Sequence, residues 1–292
     1  MLIRGVNARL WRLQVSNLMS TDALTNPGSG HPWPRMRVLP LEGGRNFRDL
    51  GGYRAADGRQ VKWGVLFRSG SLVGLTRADW EHLMARGVHT LCDFRSTRER
   101  EAEPVPLSDY PSVSYWARDY HTSFADLRTL MRSGIGTGVA ARQAMLTGYR
   151  ELPFDQATAY RHLFACLKAG RIPLVFNCSA GKDRAGTAAA LVLSALGVPR
   201  DIVMEDFALT NQVLDLRHAL LKHGRDLAKD AQTSLAKQPP EVITAILHAD
   251  PEYVATALDS IDAGHGSMEA YLRDQLDVSE LDLRRLRDAL LE

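Results

Sequence analysis

The stretch LVFNCSAGKDRAG, residues 174–186, decides how the rest of the chain is read. A short apolar run is followed by a loop with a glycine and then by an alanine-rich segment, which predicts a buried strand, a tight turn and a helix start in direct succession. Cys178 and Arg184 are separated by five residues. That spacing lets a loop close around one tetrahedral anion, with the thiol beneath the central atom and the guanidinium beside it. Ser179, Ala180, Gly181, Lys182 and Asp183 supply the intervening backbone N–H groups, which can all point inward as an anion-binding nest, and the helix N-terminus adds its partial positive charge. Such surroundings favour thiolate over thiol. The planar fork of Arg184 can grip two oxygens of a phosphoryl group, which a lysine cannot imitate. Lys182 places a second positive charge in the same loop.

NCSAGKDRAG, residues 177–186, resembles the HCxxGKDRTG signature of the Cys-x5-Arg protein tyrosine phosphatase superfamily, in the atypical bacterial branch that includes protein and phosphoinositide phosphatases. Three further segments resemble the same branch in the same order: NFRDLGGY at 46–53, CDFRSTRERE at 92–101 and the closing stretch 253–292. Four ordered matches are more specific than any single motif. The likeness spans residues 36–292. It implies Cys178 as nucleophile, Arg184 as phosphate ligand, a phosphocysteine intermediate and no cofactor. Two positions depart from the signature. Asn177 stands where the superfamily usually has His, which props the loop, and Ala185 stands where it usually has Thr or Ser, whose hydroxyl helps the sulfur to leave.

Cleavage of a phosphomonoester also needs a group that protonates the leaving oxygen and later takes a proton from water. Asp93, at the end of an apolar strand, matches the DLRS-type motif and is the preferred candidate. Asp183, flanked by Lys182 and Arg184, is the alternative; its neighbours favour the ionised form, which suits orienting a loop or a water. Arg48 and Asp49 are expected to brace the loop from behind.

The 292 residues, 45% hydrophobic and 24% charged, suffice for one large core. Lys and Arg number 36 against 34 Asp and Glu, so the whole-molecule charge of +2 gives no argument for nucleic acid as a partner. Three cysteines argue against a disulfide framework. Cys92 and Cys166 read as core thiols, although Cys92 would pair with Cys178 if the fold brought them together. The histidines, including His82, His89, His162 and His223, lack paired-ligand spacing, so no metal site is expected. No signal peptide and no membrane span is evident, which points to the cytoplasm or to export without a recognisable leader.

Residues 1–35 read as a poorly ordered extension, rich in Pro and Gly at its end, and 36–292 as the phosphatase domain. Strand and helix patterns alternate from there: 37–43 and 46–52 as a first strand pair, 64–70 as a buried strand, a capping box from Thr76 to Asp79 opening a helix that stops at Gly87, and a strand over 88–94. Residues 115–154 read as irregular and then helical, 149–170 as one core-facing helix, 187–196 as a buried helix, and 212–248 as a helical lid. The fold class is therefore α/β, a central mainly parallel sheet flanked by helices, tyrosine phosphatase-like with a helical lid insertion. The function that follows is phosphomonoester hydrolysis by a protein tyrosine phosphatase with dual specificity within its reach, on a phosphorylated protein or phosphoinositide substrate. A dedicated phosphoinositide phosphatase and a phosphate-binding pseudophosphatase are the alternatives.

Overall fold

The computed structural model of the chain describes residues 34–120, 136–214, 235 and 237–292. Among them, β1 (Arg48–Asp49), β2 (Leu66–Ser69), β3 (Thr90–Asp93), β4 (Ser114–Ala117) and β5 (Leu174–Asn177) form one sheet in the order β1-β2-β5-β3-β4. β1 runs antiparallel to β2, and every other neighbouring pair is parallel. The strand that opens the decisive motif thus lies at the centre, and Asn177 at its end stands level with Ser69 on one side and Asp93 on the other. In such sheets the ligand crevice lies outside the carboxyl ends of the strands.

Strand side chains alternate between two apolar layers. Leu66, Cys92, Leu174 and Phe176 join the larger core. Phe67, Leu91 and Val175 join a smaller one, with Trp80 and Leu83 of helix α1 (Arg77–Ala85). After α2 (Thr97–Ala102), the larger layer is built from α3 (Gly138–Asp155), α4 (Ala157–Lys168), α5 (Asp183–Ala195), α6 (Arg200–Ala208), α7 (Thr210–Val213), α8 (Pro240–Leu247), α9 (Pro251–His265), α10 (Met268–Leu276) and α11 (Glu280–Leu290). All of α5 except Asp183 and Ser194 is buried, as its alanine-rich sequence requires of a helix enclosed on every side. α8 and α9 pack on α3, α10 on α4, and α6 on α5.

The mainly parallel α/β sheet is as the sequence predicts, and so are the Thr76 to Asp79 capping box and the helix after the motif. Three local expectations are corrected. Residues 37–43 contribute only a bridge at Val38, so the antiparallel partner of β1 is β2. Residues 114–117 form an edge strand, not irregular chain; with one face half-buried they lack the apolar run that marks the central strands. The helix expected over 149–170 is two helices that break at Gln156, whose backbone ends α3 and begins α4. Most of the lid expected at 212–248 lies outside the described residues. Its last part is α8, whose Val242, Ile243 and Ile246 are buried. Among the described residues no helix is long and apolar enough to cross a membrane.

Candidate active site

The loop from Cys178 to Arg184 is held by its carbonyls. Arg45 Nη1 donates to the Ser179 carbonyl at 3.3 Å, Asn46 Nδ2 to that of Ala180 at 3.2 Å, and Arg68 Nη2 to that of Gly181 at 2.6 Å. The Ser71 amide also donates to Ser179. With these carbonyls tied outward, the amides must face the other way. Among the described residues, none of the backbone N–H groups from Ser179 to Arg184 has a hydrogen-bond partner. A row of unpartnered amides is what an anion-binding nest requires. Gly181 makes the turn possible: its φ is +70°, and a Cβ there would stand 2.6 Å from the Gly70 nitrogen.

The brace behind the loop is a buried charge cluster. Asp206 of α6 accepts from Arg68 Nη1 at 2.5 Å, Arg48 Nη1 at 3.0 Å and the Tyr53 hydroxyl at 2.9 Å, and Arg48 also reaches the Thr210 hydroxyl. Burial alone would raise the Asp206 pKa, but the two guanidiniums outweigh it and bring it to about 2. Burial and the charge of Arg68 push Arg48 down to about 10. Asp49 accepts from the amides of Gly51 and Gly64 and fixes the turn after β1. Arg48 therefore braces the loop indirectly, through Asp206 and Arg68, whereas Asp49 fixes the turn.

Cys178 is buried at the head of the loop, and its amide donates to the Ser69 carbonyl. Cys178 lies within electrostatic reach of Tyr120, Tyr149, Tyr160 and Arg184. Arg184 is almost wholly buried. Its Nη1 donates to Glu99 Oε2 at 2.6 Å, to the Tyr120 hydroxyl at 2.8 Å and to the Phe94 carbonyl at 3.0 Å, and its Nη2 donates to Glu99 Oε1 at 2.8 Å. Its Nε is buried without a partner among the described residues. One edge of the fork is thus clamped, and the edge carrying Nε remains for an anion. Glu99 itself is set by its helix. It is the third residue of α2, closes a capping box on the Ser96 amide at 2.6 Å, and accepts from the Ser179 hydroxyl. Glu99 and Tyr120 are site residues that the motif alone does not reveal; the signal for Glu99 is the S-x-x-E pattern at 96–99.

Asp93 is found where the sequence puts it, at the end of β3, but not as a free acid. Its buried carboxylate accepts from the Arg95 amide and guanidinium, from the Tyr115 hydroxyl at 2.9 Å and from Asn177 Nδ2 at 3.1 Å. Both oxygens are taken by fixed donors, so the carboxylate serves to lock β3 to Asn177, the last residue of β5 before the loop. Asn177 fills the place of the signature His with this one amide bond to Asp93.

Asp183 opens α5 and is partly exposed. Tyr149 donates to its Oδ1 at 2.6 Å and Lys182 Nζ lies 3.3 Å from the same oxygen, which leaves Oδ2 without a partner among the described residues. Lys182 is not turned toward the mouth. Its ammonium is buried and donates to the Ile246 carbonyl at the end of α8, at 2.6 Å. Ala185 is buried, and two residues on the buried Thr187 hydroxyl has no partner among the described residues.

Away from this cleft, one group of side chains has a metal-ligating composition. Cys92 of β3 and His162 and Cys166 of α4 place a sulfur, a ring nitrogen and a sulfur within 4.8 Å of one another. A hydrogen bond with Cys166, together with burial, pushes the Cys92 thiol up; the same hydrogen bond pulls Cys166 down, aided by Arg171. Cys92 thus has Cys166 as its thiol neighbour.

A sequence model described as the tyrosine phosphatase family matches residues 39–292. Among curated proteins, the chain is 34% identical over 241 residues to a protein of Cupriavidus necator named as a candidate tyrosine-protein phosphatase, covering 82% of this chain and 84% of that one. It is 32% identical over 286 residues to the triple specificity protein phosphatase PtpB of Mycobacterium tuberculosis, covering 88% of this chain and 100% of that one. A tyrosine-protein phosphatase of Nostoc commune is 29% identical over 153 residues, about half of each chain.

Proposed function

The chain belongs to the tyrosine phosphatase family, and we propose that it cleaves phosphotyrosine in proteins and a wider set of phosphomonoesters through a phosphocysteine on Cys178. Family membership makes it an enzyme acting on phosphorylated substrates. The observation that carries the mechanism is the unpartnered set of amides from Ser179 to Arg184 around Cys178, closed on one side by the free Nε of Arg184.

In the first step Cys178 Sγ attacks phosphorus, forming the S–P bond as the bond to the leaving oxygen breaks. The amides and Arg184 hold the equatorial oxygens, where charge builds up, in a site shielded from water. Asp183 gives its proton to the leaving oxygen through Oδ2, the oxygen that Tyr149 and Lys182 leave open, a role in place of the loop-orienting one expected of it, because Asp93 has no oxygen to spare. In the second step water attacks phosphorus, the S–P bond breaks with its electron pair returning to sulfur, and Asp183 takes the water's proton. This assigns the acid to Asp183 in place of Asp93, whose oxygens are filled by Arg95, Tyr115 and Asn177.

The wider substrate range rests on the likeness to a triple specificity phosphatase. Lys182 adds little support for lipid headgroups, because its ammonium is spent on Ile246 and Asp183. The experiment is a panel of phosphotyrosyl, phosphoseryl and phosphothreonyl peptides and phosphoinositides, assayed with the wild type and Cys178→Ser. Turnover of phosphotyrosyl peptides and at least one other class, with a loss of at least about a hundredfold in Cys178→Ser, is expected. Turnover that survives in Cys178→Ser overturns the nucleophile, and turnover confined to phosphotyrosine overturns the wider range.

A further inference from the structure

Cys92, His162 and Cys166 take no part in the chemistry above. They come from two elements, β3 and α4, that pack against each other in the larger core, and His162 and Cys166 are one helical turn apart on the same face of α4. Cys166 Sγ lies 3.4 Å from His162 Nε2, and all three donor atoms lie within 4.8 Å of one another. Trp116 of β4 lies flat on the His162 ring, with centroids 4.2 Å apart and planes 7° from parallel. The imidazole plane is therefore fixed before anything binds.

We propose that these three residues form a binding site for a zinc ion. Zinc takes thiolates at about 2.3 Å and imidazole nitrogen at about 2.0–2.1 Å in tetrahedral geometry. Those lengths put two donors on one ion roughly 3.6–3.8 Å apart, so the observed spacing needs a contraction of about 1.2 Å at most. The charge also balances. Binding releases the two thiol protons, and two thiolates with a neutral imidazole exactly cancel the ion's charge, which suits a site where Cys92 and Cys166 are buried.

The site's place in the fold gives occupancy a consequence. Cys92 precedes Asp93, the residue that ties β3 to Arg95 and to Asn177 at the start of the catalytic loop. An ion bound by Cys92 and α4 would clamp the strand beneath that loop, and so stabilise the folded chain by mass action.

The test uses the full-length, fully reduced protein. Zn2+ is titrated in competition with a chromophoric chelator, and Cd2+ is added separately to read the thiolate-to-metal charge-transfer absorption. The variants are Cys92→Ser, Cys166→Ser, His162→Gln and Cys178→Ser, each checked for folding by circular dichroism. One tight equivalent per chain is expected, with the charge-transfer band lost in Cys92→Ser and Cys166→Ser, affinity lowered at least about tenfold in His162→Gln, and both readouts retained in Cys178→Ser. Zn2+ should raise the Tm of the wild type by several degrees and that of His162→Gln by less. No stoichiometric uptake by the folded wild type overturns the site, whether the thiols stay free or are found joined as a Cys92 to Cys166 disulfide. Uptake that vanishes in Cys178→Ser overturns it too, since the catalytic thiol would then be the ligand.

Discussion

Glu99 and Arg184 meet edge to edge, Oε2 on Nη1 at 2.6 Å and Oε1 on Nη2 at 2.8 Å. Burial alone would raise the Glu99 pKa, but the charge and hydrogen bonds of Arg184, with those from Ser179 and the Ser96 amide, bring it down to about 2. The carboxylate is therefore ionised throughout the range in which a phosphatase is assayed. It holds one edge of the guanidinium so that Nε presents to the anion without a search among rotamers.

Glu99→Ala should accordingly lower kcat/KM for an aryl phosphate by roughly 10–100-fold, the worth of one charge-assisted hydrogen-bond pair. Glu99→Gln keeps the shape and loses the charge, so its rate should fall between the two. Steady-state kinetics with inorganic phosphate as competing ligand provide the check. Wild-type kcat/KM in Glu99→Ala would show that the clamp does not position Arg184.

The exchange of roles between the two aspartates has its own signature. Asp183→Asn should slow phosphoseryl peptides, whose leaving group needs a proton, far more than activated aryl phosphates, which leave without one. Asp93→Asn should instead cost stability, about 3–5 kcal/mol, because it weakens the counter-charge of buried Arg95. Its effect on rate should be alike for both substrate classes. A leaving-group dependence in Asp93→Asn, absent in Asp183→Asn, would return the acid role to Asp93.

Asp206 ties acid stability to the loop. Its pKa is depressed from 3.8 to about 2 in the folded chain, so its contribution is complete above pH 3.8 and is lost as the pH falls through about 2. The shift corresponds to about 2 kcal/mol. Asp206→Asn should lower stability at pH 7 by about 3–5 kcal/mol, since Arg48 and Arg68 are then buried without their carboxylate, and should flatten the loss between pH 4 and 2. Urea midpoints across that range measure both effects. A variant as acid-sensitive as the wild type would shift that role to Glu99, which titrates in the same window.

Much of this architecture was legible in the sequence, and the boundary falls where local pattern ends. The strand, loop and helix around Cys178 declare themselves because apolar run, glycine and alanine-rich helix follow each other without interruption. The bracing by Arg48 is also readable, from its place in NFRDLGGY. What escaped depends on contacts between distant segments. Asp93 sits at the strand end as expected, but only the fold brings Tyr115 and Asn177 onto its oxygens. Lys182 has the right position in the loop, yet the Ile246 carbonyl on α8 captures its ammonium. The split at Gln156 was hidden because apolar spacing continues across it; Pro153 and the backbone at Gln156 turn the chain there. The expectation of no metal site rests on the spacing of histidines; the pair of His162 with Cys166 at i, i+4 falls outside that comparison, and its partner Cys92 lies on another element.

The hydroxyl missing at Ala185 leads to the last expectation. In the family signature a Thr or Ser at that position supports the sulfur as the phosphocysteine breaks down, and here the side chain is a buried methyl. Thr187, two residues on in α5, has a buried hydroxyl with no partner among the described residues, a state that costs about 1–3 kcal/mol unless something supplies a bond. The hydroxyl makes no bond to Cys178 Sγ in the resting structure, so any help it gives the departing sulfur comes only as the intermediate breaks down. Thr187→Val preserves the volume and removes the donor, so breakdown of the intermediate should slow by roughly tenfold while its formation is unchanged. With an activated aryl phosphate, rapid mixing should then show a burst near one equivalent of enzyme followed by a slow steady state. Ala185→Thr placed on this variant should restore the steady-state rate if its hydroxyl reaches the sulfur. Equal bursts in wild type and Thr187→Val, with equal steady-state rates, would mean that sulfur departs without help from Thr187.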